Sequence, residues 1–200
     1  MKWSYIAILF VLALLNPPSP RQDGPSEYDK CRIVLSSDLY DKEAPTFASY
    51  HAVAPEVIAN AKLDLKSNPI ARMYRTVLQG KIAEGPNFAG HYRVAVWGCG
   101  SSCAQFAVIN LRTGRVITLK GFSSTSLVYF DNDRDFLPGT ESDDLGFRYR
   151  SDSKMLVVIG DINEDESREG AFYLVIEGGR LRLIHSTIVK KDCEKLRRPH

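Results

Sequence analysis

Between Gly85 and Val116 the chain reads GPNFAGHYRVAVWGCGSSCAQFAVINLRTGRV, a helix stop followed by strand, turn, strand, turn and strand. No other segment restricts the fold as much. From His91 to Trp97 the side chains alternate, with Tyr92, Val94 and Val96 on one face and His91, Arg93, Ala95 and Trp97 on the other. Gly98 to Ser102 reads as a turn, Ala104 to Asn110 as the returning strand, Thr113-Gly114 as a second turn and Val116 to Leu119 as a third strand. This order predicts a three-stranded antiparallel meander. Cys99 and Cys103 flank the first turn, where a bridge can close across Gly100.

The flanking segments extend this picture. Ser67-Asn68-Pro69 reads as a helix cap, because proline at the first helical position gives up no needed N–H. Ile70, Met73, Tyr74, Val77, Leu78 and Ile82 then recur at helical spacing, which predicts one amphipathic helix ended by Gly85-Pro86. Downstream, a short strand is expected over Leu127 to Phe130. Phe147 to Arg150 and Met155 to Ile159 flank one turn, and Ala171 to Ile176 and Arg180 to Ile184 flank another at Gly178-Gly179. The expected class is α+β, predominantly antiparallel β: a curled meander sheet of hairpins with one docked helix.

Four cysteines fall at 31, 99, 103 and 193. Ahead of them Lys2 precedes an apolar run from Tyr5 to Leu15, closed by Asn16-Pro17-Pro18. That run fits a secretory leader and is well short of the roughly 20 residues that span a bilayer. An even cysteine count in an exported chain favours two disulfides. Of three connectivities, Cys99–Cys103 with Cys31–Cys193 is preferred, the first for its short turn and the second for tying the ends of the domain together. The expected organisation is a signal peptide over 1–20, a linker with an edge strand at Cys31 to Leu35 within 21–45, one globular domain over 46–188, and a basic tail over 189–200 held back by Cys193. The expected location is periplasmic or secreted, with no stable membrane span in the mature chain.

The segment Asn68 to Val116 resembles a group of exported bacterial proteins of uncharacterised function. These share a GPNFAGHY segment, then WGCG, a second cysteine and an apolar strand ending in Thr-Gly. The resemblance covers about a quarter of the chain. It implies a secreted or periplasmic bacterial domain and transfers no activity.

Reactive chemistry is sparse. Cys99 and Cys103 are separated by three residues, where a thioredoxin-type pair has two, and no βαβ unit surrounds them. His91 as base to a nucleophilic Cys99 is the weak catalytic candidate, if the hairpin brings them together. Together with Cys103 they match no zinc spacing, and a structural disulfide is the preferred reading. His51, His185 and His200 have no serine or carboxylate arrangement legible near them, and no Gly-x-Ser-x-Gly elbow occurs. Asp131, Asp133 and Asp135 alternate like the first half of a calcium loop, as do Asp161, Asn163 and Asp165. However, Phe136 and Glu166 stand where such a loop needs glycine, and the closing bidentate glutamate is missing, so solvated loops are expected. No cofactor is implied.

The net charge of +2 leaves no electrostatic footprint for nucleic acid. The expected function is a non-catalytic domain that binds a protein or an envelope component. The alternative is a hydrolase or thiol enzyme using His91 and Cys99.

Overall fold

The computed structural model describes residues 24–53, 61–126, 136–137, 140 and 146–196. Eight strands, β1 (Tyr92–Gly100), β2 (Cys103–Asn110), β3 (Arg115–Ile117), β4 (Ser124–Ser126), β5 (Phe147–Tyr149), β6 (Met155–Ile162), β7 (Glu169–Glu177) and β8 (Arg180–Ile188), form one antiparallel sheet. Its order is β1-β2-β4-β6-β7-β8, with β3 added to β2 and β5 to β6. The protein is therefore α+β and mainly antiparallel β, as the hairpin pattern predicts.

Two strands divide their second edge. β2 pairs β3 through Val108–Asn110 and β4 through Cys103–Gln105. β6 pairs β5 through Leu156–Val158 and β4 through Asp161 and Ile162. Three-residue β4 is thus the seam between two meanders. It is held by Thr125, fully buried, whose hydroxyl donates to the Ile159 carbonyl at 3.0 Å.

The sheet curls about this seam. Val94, Phe106 and Val108 from one half share a core with Phe147, Leu156, Val158, Phe172 and Leu174 from the other. Phe106 and Phe147 meet at 5.4 Å between ring centroids, and Phe122 and Phe172 at 5.5 Å. Two further cores cover the outer faces. Ala71, Leu78 and Ile82 of the helices pack on Ala95, Ala107, Ile109 and Val116. Val34, Leu39 and Phe47 from the N-terminal segment cover Met155, Val157, Ile159 and Tyr173. Burial on both faces explains why β6 and β7 read as nearly unbroken apolar runs.

The helical prediction is corrected in part. Two helices occur, α2 (Pro69–Met73) and α3 (Arg75–Ala83), preceded in the chain by a short α1 (Glu27–Arg32) and separated by a break at Tyr74. The Asn68 cap is present, its Oδ1 accepting from the Ile70 N–H at 2.9 Å. Met73 and Val77 stay exposed, at 71% and 38%. The helices rest on the small side chains Ala95 and Ala107, so a narrow face meets the sheet and the edge of the apolar stripe is left outside.

The N-terminal reading changes more. Where an edge strand at Cys31 to Leu35 is expected, the chain forms α1, with a reciprocal Ser26–Asp29 cap at 3.0 and 3.1 Å, and then a 3-10 turn over Ser36–Leu39. Val34 and Leu39 are buried, so this stretch is part of the domain and no linker. The physical reason is the apolar outer face of β6 and β7, which needs a cover. Residues 189–196 also lie against the fold: Lys191 Nζ donates to the Ile33 carbonyl at 2.7 Å and pairs with Asp38. The expected leader, the strand at Leu127 to Phe130 and the Asp131, Asp133 and Asp135 loop fall outside the described residues. No helix among the described residues is long and apolar enough to cross a membrane.

Candidate functional site

The GPNFAGHY segment is built as a loop that closes the edge of β1. Phe88 pairs Tyr92 in a narrow bridge, with N–H to carbonyl bonds of 3.0 and 2.9 Å in the two directions. Between them Ala89 and Gly90 both take positive φ, 45° and 79°. For an alanine this costs about 1–2 kcal/mol, offset here by the burial of Phe88, which is fully inside the core and edge-on to Tyr149 at 6.4 Å. Asn87 acts as a surrogate strand. Its Oδ1 accepts from the Val94 N–H at 2.8 Å, and its Nδ2 donates to the Tyr149 hydroxyl at 3.1 Å and the Val94 carbonyl at 3.3 Å. The motif's histidine contributes main chain first: the His91 carbonyl accepts from Leu111 N–H at 3.0 Å, and its ring lies 4.3 Å from that of Tyr92.

This loop forms one wall of a cleft of about 540 Å3 at the end of the sheet where β1 starts and β7 finishes. Ala89, Gly90, His91 and Tyr92 face Ile176, Glu177 and Gly178 across it, with Ala52 and Val53, Arg112 and Lys154 completing the lining. The volume lies in the range of small-molecule sites. Its floor is apolar and buried, with Ala52, Ala89 and Ile176 each below a tenth exposed. Its rim is charged. Glu177 Oε2 is engaged by Arg182 at 3.3 Å. Asp152, close in sequence to Lys154, receives both Arg150 Nε and Nη2, at 2.8 and 2.9 Å. That guanidinium holds the Asp152 carboxyl below the usual carboxylate range. Among the described residues no carboxylate pairs with Lys154.

The two weak catalytic candidates are not brought together. Cys99 is bonded to Cys103 and Cys31 to Cys193, and no cysteine is free. His91 precedes β1, while Cys99 lies near its other end, eight residues on and so about 26 Å away at the usual rise of a strand. The hairpin pairs Gly100 with Cys103 and leaves Gly98 to Ser102 exposed at the tip. Trp97, just below, donates its indole N–H to Gln105 Oε1 at 2.9 Å and stacks on Tyr74 at 4.8 Å, anchoring the tip to the helices.

In the Asp161, Asn163 and Asp165 loop, the last two residues use their side-chain oxygens internally. Asn163 Oδ1 accepts from Ser123 Oγ and N–H at 2.7 and 2.9 Å, and Asp165 caps a 3-10 turn by accepting from Ser167 N–H and Oγ at 3.0 and 2.6 Å. No cluster of metal-ligating side chains occurs among the described residues.

One constellation escapes the sequence reading. His185 on β8 does have a carboxylate partner: its Nε2 lies 2.8 Å from Asp41 Oδ2, 144 residues away. Thr187 Oγ1 donates to the same oxygen at 3.3 Å. The Glu43 N–H, then the imidazole, hold the Asp41 carboxyl below its ordinary value. Neighbouring Tyr173 is pushed up to about 12, by burial first and by Asp41 second. Because Thr187 bonds the carboxylate and not the imidazole, the group lacks the nucleophile-to-base link of a hydrolytic relay. It straps the N-terminal segment to β8. The only sequence signal is an aspartate and a histidine in otherwise unremarkable contexts, too far apart to pair by inspection.

Comparison of the chain with known protein families, with curated proteins and with solved structures finds no match.

Proposed function

We propose that the protein is an exported, non-catalytic domain that binds a protein or an envelope component through the cleft between the GPNFAGHY loop and the end of β7. The observation that carries this reading is a formed concave site with a buried apolar floor and a charged rim, in a molecule whose cysteines are all closed in disulfides. Export is supported by the Lys2 to Leu15 leader pattern and by two disulfides, which persist in oxidising compartments. The test is capture from envelope extract on the immobilised domain, with Val53→Trp as the control. Val53 is 76% exposed on the cleft wall, so a bulkier side chain fills the cleft and spares the core. Specific capture by the unaltered domain, reduced at least tenfold by Val53→Trp, is the expected result. Recovery at background level, or equal recovery by both proteins, rejects it.

The alternative, a thiol enzyme using His91 and Cys99, is disfavoured by the closed Cys99–Cys103 bond and by the length of β1 between the two residues. Labelling of Cys99 by a thiol reagent in the native, unreduced protein would restore it.

A further inference from the structure

We infer that the cleft takes a small amphiphilic anion: a carboxylate or phosphate head beside Lys154, with an aliphatic body against Ala52, Tyr92 and Ile176. This rests on the proposed role of the cleft as a binding site and specifies its ligand.

Charge selects the head. Four titratable side chains line the cleft apart from Tyr92: His91, Arg112, Lys154 and Glu177. The one acid among them is engaged by Arg182, and Asp152 beside Lys154 is engaged by Arg150. The Lys154 ammonium is therefore not cancelled by these acids. An oxyanion held against a low-dielectric wall is attracted more strongly than one in open water. Main-chain donors contribute little to the selection, since the Gly90 N–H is taken by the Ser151 carbonyl at 2.8 Å and the His91 N–H by Ala89 at 3.0 Å. The choice of ligand falls to the side chains.

The floor selects the body. Ala52, Ala89 and Ile176 are buried, and no charged group lies among them. A ligand that is polar throughout gains nothing below the rim, whereas a short alkyl chain gains about 0.8 kcal/mol per methylene removed from water. A cleft of about 540 Å3 holds a chain of several carbons with its head group.

The test is amide chemical-shift titration of the isotope-labelled full chain with hexanoate, hexyl phosphate and the neutral twin hexanamide. Both anions should move amides at 89–92, 154 and 176–178 and bind at least tenfold more tightly than hexanamide. Lys154→Gln should weaken both anions about tenfold and leave hexanamide unchanged. The Lys154 side chain is exposed, and only its main chain bonds Tyr50 and Ile176, so the fold is kept. Tighter binding of hexyl phosphate assigns a phosphate head, and tighter binding of hexanoate a carboxylate. Equal binding of hexanamide, shifts elsewhere on the protein, or an unaffected Lys154→Gln protein overturns the inference. Envelope capture that depends on Val53 while the anions fail to bind sinks the ligand class and spares the binding role. The reverse outcome sinks the macromolecular target and spares the anion site.

Discussion

The two disulfides should differ sharply in what they contribute to stability. Cys31–Cys193 closes a sequence separation of 162 residues, and Cys99–Cys103 one of 4. On loop-closure entropy, removing the first relaxes the unfolded chain by about 5 kcal/mol and removing the second by about 2 kcal/mol. Both bridges join α-carbons at unforced separations, 5.8 and 5.2 Å, so the same calculation applies to each. The long bridge also aligns contacts that would otherwise have to hold the chain ends alone: Tyr28 with Glu194 at 3.2 Å, and Lys191 with Ile33 and Asp38. The assay is urea unfolding of Cys31→Ser/Cys193→Ser and Cys99→Ser/Cys103→Ser beside the unaltered protein. The expected losses are about 5 and about 2 kcal/mol with similar denaturant slopes. Losses within 1 kcal/mol of each other, or in reverse order, would refute the entropy argument. A small loss with a lowered slope for the long bridge would refute it too, because it would mean that the ends fray and the sheet does not notice.

Three other substitutions probe separate parts of the fold. Gly160→Ala places a Cβ onto the Ser126 carbonyl oxygen and within 2.5 Å of Thr125 Oγ1, at φ 126°, so it should force β4 off β6. The cost is about 2–5 kcal/mol, read as a melting-temperature drop of about 4–20 °C; a change under 2 °C contradicts the seam described here. Asn87→Ala leaves the Val94 N–H without its acceptor and should cost about 1–3 kcal/mol in denaturant, with Asn87→Asp, which keeps the acceptor, losing less. Asp41 titrates below its ordinary value of 3.8, so its contribution to stability is present above that pH and is lost as pH falls through the folded value. Asp41→Asn should therefore flatten the acid limb of a plot of urea midpoint against pH; an unchanged limb would remove the group from the account.

What the sequence made legible was whatever is local. The meander from β1 to β3 and the hairpins β5–β6 and β7–β8 follow from alternation and turn residues a few positions apart. The Gly178-Gly179 turn takes φ 55° and 70°, a left-handed pair that glycine alone adopts freely. The cover over β6 and β7 was not legible, because Val34, Leu39 and Phe47 show no periodicity and gain meaning only from the apolar face they meet. Ser26-x-x-Asp29 is a cap signature, but it opens only six helical residues, too few to show a periodicity. The cleft was invisible for a related reason. Its lining comes from five separate stretches of chain, and only the curl of the sheet at β4 brings Tyr92 and Ile176 to opposite walls.

The Asn87 surrogate strand has a consequence for the protein in company. β1 is the first strand of an open sheet, and an open strand edge is a template on which another chain can add itself and start an aggregate. With the Val94 amide and carbonyl both taken by one asparagine, and those of Tyr92 by Phe88, the first part of that template is already occupied. A loop that finishes its own sheet edge in this way protects the molecule from its own copies.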